Sequence, residues 1–125
     1  MGSWGTGSFE NDDASDWVYE LEQATDDSLL RATLTADLSE APEGSCALAA
    51  AEVVAAALGK AAANLPKEVT AWVDAHRNAV SDDLLDLARR AVREVAGGGE
   101  LRELWDEAAD PGWSASVRDL DSRLG

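Results

Sequence analysis

Between Cys46 and Ala63 the chain reads CALAAAEVVAAALGKAAA, and no other stretch constrains its fold as strongly. Alanine is the best intrinsic helix former, and the run contains no proline to break a helix. Its only charges are Glu52 and Lys60. A helix that is apolar all round belongs either in a membrane or at the centre of a bundle. Small alanines and two charges argue against a membrane span. The run therefore predicts a soluble core helix from about Ser45 to Ala63, set off by a break at Ala41-Pro42-Glu43-Gly44.

The remaining sequence repeats the helical theme. Isoleucine is absent, Tyr and Phe occur once each, and no apolar–polar alternation is long enough for a strand. Asn11 or Asp12 can cap a first helix with Ala14, Trp17, Val18 and Leu21 at i, i+3, i+4, i+7 spacing. A second helix is expected near Asp26 or Asp27, with Leu29, Leu30, Leu34 and Leu38 as its apolar positions. Asn64-Leu65-Pro66 breaks the chain before a fourth helix carrying Val69, Trp72, Val73 and His76, with Pro66 suited to its first turn. Ser81 caps a fifth, whose apolar face runs from Leu84 to Val95, and Gly97-Gly98-Gly99 ends it. Leu101, Leu104 and Trp105 mark a sixth helix. After a turn at Asp110-Pro111-Gly112, Trp113, Val117, Leu120 and Leu124 mark a last one. The fold class is all-α: a compact single-domain bundle of six or seven helices over residues 1–125. An irregular glycine-rich segment, residues 1–10, packs on it. At 125 residues such a domain can bury roughly two-thirds of its unfolded surface. The five tryptophans carry much of that packing at ~150–250 Å² each.

Charge narrows function. The formal net charge is −15, with 25 acidic residues against 10 basic ones. Such a field repels phosphate backbones and anionic headgroups, so neither nucleic acid nor a membrane surface is an expected partner. A basic protein partner suits it, and small acidic proteins that neutralise toxins share this composition. Lysine is confined to Lys60 and Lys67, the other cations being arginine; with abundant Ala and Asp this points to a high-GC bacterium or a salt-adapted organism. Cys46 stands alone, which precludes an internal disulfide and a multi-cysteine zinc site and fits a reducing cytoplasm. The opening lacks the basic region and apolar run of a signal peptide.

Candidate chemistry concentrates in the opening, MGSWGTGSFENDDASDW. GSWGTG looks like a phosphate cradle, but no strand precedes it and Glu10, Asp12 and Asp13 would repel phosphate. Its loose match to a myristoylation pattern lacks a polybasic patch. Asp12, Asp13 and Asp16 could present oxygen ligands to a divalent cation, since Asp12 and Asp16 lie one helical turn apart. The alternation of a calcium loop fails at Ala14, so helix capping by Asn11 and dipole complementation by Asp12 and Asp13 is the favoured reading. Glu52, alone among apolar residues, lies on a narrow solvent stripe or is buried and paired, with Arg89, Arg90 or Arg93 of the fifth helix or with a bound cation, and a structural pair is the favoured reading. A di-metal bundle would need a second ligand three or four residues away, where Leu48, Ala49, Ala55 and Ala56 stand. His76 has no neighbouring nucleophile in sequence and fits a core edge. No cofactor is implied.

The opening resembles that of a bacterial family of uncharacterised proteins, domain-of-unknown-function family 4259, whose members begin Gly-x-Trp-Gly-x-Gly-x-Phe-x-Asn-Asp. Gly2, Trp4, Gly5, Gly7, Phe9, Asn11 and Asp12 occupy that pattern, and Asp16 and Trp17 follow. The stretches AAAEVVAAALG, LPKEVTAWV and ELRELWDE, followed by Trp113, are similar as well. The resemblance implies a family without an assigned activity, so no catalytic residue is carried over.

Three functional expectations result. The first is a non-enzymatic interaction protein, adaptor or immunity-like, acting in the cytoplasm on a basic protein partner. The second is a metal-dependent hydrolase of a nucleotide or small phosphate, using Glu52 with Asp12, Asp13 and Asp16. The third is a bundle that binds a small molecule in a pocket walled by Trp4, Trp17 and Trp72. The preferred reading of the opening is a structural clasp: Gly5 and Gly7 are expected to allow a tight positive-φ path that folds Trp4 and Phe9 onto the bundle.

Overall fold

The computed structural model describes residues 7–62, 65–108 and 111–125. Trp4 and Gly5, and the path expected for them, lie outside the described residues. Within those residues the chain forms seven α-helices and no strand: α1 (Asp12–Gln23), α2 (Ser28–Leu34), α3 (Ala41–Ala57), α4 (Lys67–His76), α5 (Asp82–Gly97), α6 (Glu100–Ala108) and α7 (Pro111–Leu124). A single 3₁₀ turn, Arg77–Ala79, follows α4.

The alanine helix is the hub. α3 packs against each of the other six helices, and every residue from Ala47 to Ala57 is buried. Small side chains make this possible, because six neighbours can approach one axis only where nothing large projects from it. Leu21, Leu30, Leu84, Leu120 and Leu124 supply the volume from the surrounding helices.

The bounds of α3 differ from those expected. The helix starts at Ala41, so the Ala-Pro-Glu-Gly stretch is its first turn rather than a break, and it stops at Ala57. Pro42 sits where a helix leaves its first N–H groups unpaired, so its missing donor costs nothing. Gly44 is buried, and a Cβ there would stand 3.4 Å from Leu101 of α6. At the other end Gly59, at φ 84°, turns the chain out of the helix. Arg77 then donates to the carbonyls of Ala56 and Ala57 at 3.2 and 2.9 Å.

Other boundaries follow local chemistry. Asn11 caps α1, its Oδ1 accepting from the Ala14 N–H at 2.8 Å, and Ser81 caps α5 through the Leu84 N–H. Pro66 is the residue before α4 rather than within its first turn. Leu38 is buried but lies beyond α2, in the link to α3. Of the three glycines after α5, only Gly99 has a positive φ, 98°; Gly97 is still helical and Gly98 is extended. That turn lets the Glu100 N–H reach the Ser39 carbonyl at 2.8 Å, while the Glu100 carboxylate accepts from the Ala41 N–H at 2.8 Å. One residue thus joins the start of α6 to the start of α3. Pro111 and Gly112 begin α7 instead of forming a turn. Leu104 was expected on the apolar face of α6, yet it is exposed, because that short helix buries only Leu101 fully.

Candidate functional site

Glu52 sits at the middle of α3 and is 3% exposed. Its carboxylate is fully engaged. Oε2 accepts from the Ser8 hydroxyl at 2.9 Å, and Oε1 accepts from Arg123 Nη1 at 2.7 Å. Arg123 reaches inward from the last turn of α7, where Nε also donates to Asp119 at 2.9 Å and Nη1 to the Lys60 carbonyl at 3.2 Å. Burial opposes the guanidinium charge, but the bonds and charges of Glu52 and then Asp119 outweigh it and hold the Arg123 pKa above its ordinary value. The pairing expected with Arg89, Arg90 or Arg93 does not occur. Arg89 donates instead to the Leu124 carbonyl, and Arg93 pairs with Asp121. α7 packs against α3, and Arg123 in its last turn is the arginine that reaches Glu52.

The N-terminal segment completes this cluster. Ser8 brings the chain to Glu52, Asn11 Nδ2 donates to the Ser8 carbonyl at 3.4 Å, and the Gly7 N–H donates to the Glu10 carboxylate at 3.0 Å. Gly7 does not have the positive φ expected of it. A Cβ there would meet only the flexible end of the Glu10 side chain, whose carboxylate binds the Gly7 N–H. Phe9 packs half-buried against the core. Gly7, Ser8 and Asn11 press on Leu48, Leu101 and Trp113 with only about 10 Å³ left between them. A cavity of about 230 Å³ remains on the outer side, between Phe9, Glu10, Glu52, Ser116 and Arg123.

Chemically this cluster holds a chain in place. Both Glu52 oxygens are already bonded, and Ser8 donates its proton to a carboxylate that Arg123 neutralises. His76, the chain's one histidine, stands elsewhere on α4, stacked on Trp72 at 4.6 Å with Nδ1 3.0 Å from the Trp72 carbonyl. Ser8 and Arg123 did not stand out in the sequence. Ser8 is inside the opening motif but at one of its variable positions. Arg123 announced only its local i, i+4 partner Asp119.

The structure separates the acidic candidates. Asp12 and Asp13 occupy the first turn of α1 and, with Asp16, are exposed on its surface. Among the described residues no group of three or more His, Cys, Asp or Glu side chains could hold a metal ion, so these three aspartates and Glu52 do not assemble one. Of the tryptophans expected to wall a pocket, Trp4 lies outside the described residues, and the indole N–H groups of the other two are engaged within the fold. Trp17 is buried with its indole N–H donated to Thr33 at 2.9 Å, and Trp72 donates to the Ala24 carbonyl at 3.0 Å, closing the end of α1. Trp72 also lines an open groove along α4.

The outer face of α1 is the second notable feature. The helix carries Asp12, Asp13, Asp16, Glu20 and Glu22, all exposed, and no lysine or arginine. Among the described residues none of these carboxylates takes part in an ion pair, whereas every described arginine except Arg90 and Arg118 does. Cys46 on α3 senses this field. Burial first, then Asp13, Glu20, Glu43 and Asp16, push its thiol up to about 12.

These features define a single all-α domain wound round a buried alanine helix, with its N-terminal segment fastened to that helix and an unneutralised acidic face beside it. The chain belongs to the family described as Domain of unknown function (DUF4259), whose model matches residues 2–116. No curated protein and no solved structure matches the chain. No helix among the described residues is long and apolar enough to cross a membrane.

Proposed function

We propose that this protein is a non-enzymatic interaction module, adaptor or immunity-like, that engages a basic protein partner in the bacterial cytoplasm. The observation that carries the reading is α1, whose five exposed carboxylates have no cationic partner among the described residues. Like charges gathered on one face cost stability through mutual repulsion, and a cationic surface brought against them removes that cost. The same charges disfavour nucleic acid and anionic lipid. The engagement of Glu52 by Ser8 and Arg123 supports a structural rather than hydrolytic use of the buried carboxylate.

Immobilised protein exposed to a native lysate at low salt tests this. The expected result is a defined basic protein, identified by mass spectrometry, that is released as salt rises. Recovery of the chain alone overturns the reading.

A further inference from the structure

Two hollows run side by side where α1 meets α4. One, of about 320 Å³, lies between Val18 and Tyr19 of α1 and Pro66 before α4, with Phe9 closing its end. The next, of about 620 Å³, runs along α4 over Ala71, Trp72, Ala75 and His76. Glu22 and Glu68 line both, so the two form one groove with carboxylates at its waist. Trp72 beneath it is all but covered, so its accessible apolar surface comes from the exposed ring of Tyr19 and from Ala71 and Ala75, which lie one helical turn apart, where a second backbone can come close. Among the described residues that line it, Lys67 is the one lysine or arginine.

We propose that this groove docks an amphipathic helix of another protein, one that lays apolar side chains along Tyr19, Ala71 and Ala75 and sets lysines or arginines against Glu22 and Glu68. This rests on the interaction-module reading and gives that module its surface and the shape of its ligand. Helix-in-groove recognition takes anchors at i, i+3 or i+4, and i+7 from the ligand, and the groove offers apolar contacts on both sides of its acidic waist. The charges decide the occupant. A second copy of this chain, at net charge −15, would bring acid against acid over most of its surface. A cationic helix finds both contacts it needs, and the exposed acids further along α1 speed its approach.

Fluorescence anisotropy with three labelled synthetic peptides tests the proposal. The first is a helix-forming peptide with leucines at i, i+4 and i+7 flanked by lysines. The second has the same composition scrambled, and the third has its lysines replaced by glutamates. The first should bind about tenfold tighter than the second, and the third should not bind. Glu22→Gln with Glu68→Gln should weaken the first peptide about tenfold, as should Tyr19→Ala. Glu94→Gln with Glu107→Gln, an equal charge change on α5 and α6, should leave it unchanged. Circular dichroism melting of each variant separates lost binding from lost fold. Binding of both lysine peptides that the two double variants weaken equally overturns the groove while leaving the basic-partner reading in place. Absence of binding by every lysine peptide overturns both. Concentration-dependent self-association abolished by Tyr19→Ala assigns the groove to a second copy and overturns the proposal.

Discussion

Glu52 and Arg123 stand 71 positions apart in sequence, yet Arg123 Nη1 lies 2.7 Å from Glu52 Oε1 beside the axis of the alanine helix. The contact fastens the last helix to the central one, and through Ser8 it fastens the N-terminal segment as well. A buried carboxylate is tolerable only while such partners persist.

Removing the carboxylate should therefore loosen both ends of the chain together. Glu52→Ala strands Arg123, which keeps Asp119 and is 18% exposed. The loss should be about 2–3 kcal/mol, below the ~3–5 of a fully buried pair. Glu52→Gln retains an acceptor and should cost less. Adding Arg123→Ala to Glu52→Ala should cost less than the sum of the singles, since the two side chains share one interaction. Urea unfolding of wild type, Glu52→Ala, Glu52→Gln, Arg123→Ala and the double variant measures this, and additive losses would show that the pair is not coupled.

Overfilling the hub is the second expectation. Ala50 is fully buried where neighbouring helices meet α3. Ala50→Leu should destabilise by about 1–3 kcal/mol or more, although leucine is more hydrophobic. A rise in melting temperature would mean that α3 is less tightly surrounded than its burial implies.

The capping of α1 offers a smaller, cleaner test. Asn11→Ala removes the acceptor for the Ala14 N–H and should cost about 1 kcal/mol, while Asn11→Asp or Asn11→Ser should restore most of it. Equal stability of Asn11→Ala and wild type would remove Asn11 from the capping role.

Cys46 gives a pH dependence with a definite sign. Its folded pKa of about 12 lies above the ordinary value of 9.0, so the folded state keeps the proton that the unfolded state releases. The stability linked to it is fully present below pH 9.0 and drains away as pH rises toward about 12. Cys46→Ala should flatten the alkaline side of a stability–pH curve. Iodoacetamide should label the native protein at pH 8.5 far more slowly than the unfolded one. Labelling at equal rates would contradict the half-buried, acid-flanked thiol.

Much of the fold was legible because helix signals are local. Asn11 and Ser81 declared their caps, and Ala14, Trp17, Val18 and Leu21 declared the buried face of α1 at helical spacing. The Ala-Pro-Glu-Gly stretch was misleading because proline and glycine usually mark breaks. Here proline sits where a helix start accepts it, and Gly44 serves a contact with Leu101 that lies 57 positions on. The site was half legible. A structural pair for Glu52 was the favoured reading of its apolar neighbours, but the identity of the partner depended on which helix lies against that face. Local periodicity does not contain that information, and three arginines on α5 were nearer in sequence than Arg123. The opening motif marked the right segment. Ser8, the residue that reaches Glu52, shows no local signal, because a serine hydroxyl acquires its role only from what it meets.

The proposed function requires α1 to present its exposed carboxylates to a cationic partner. The most direct measurement is the affinity of the captured basic protein for wild type and for Asp13→Asn/Asp16→Asn/Glu20→Gln, across a salt series. The wild-type affinity should fall steeply with salt, and the variant should bind about tenfold or more weakly at low salt with a flatter slope. Identical affinities and slopes for the two proteins would contradict the claim.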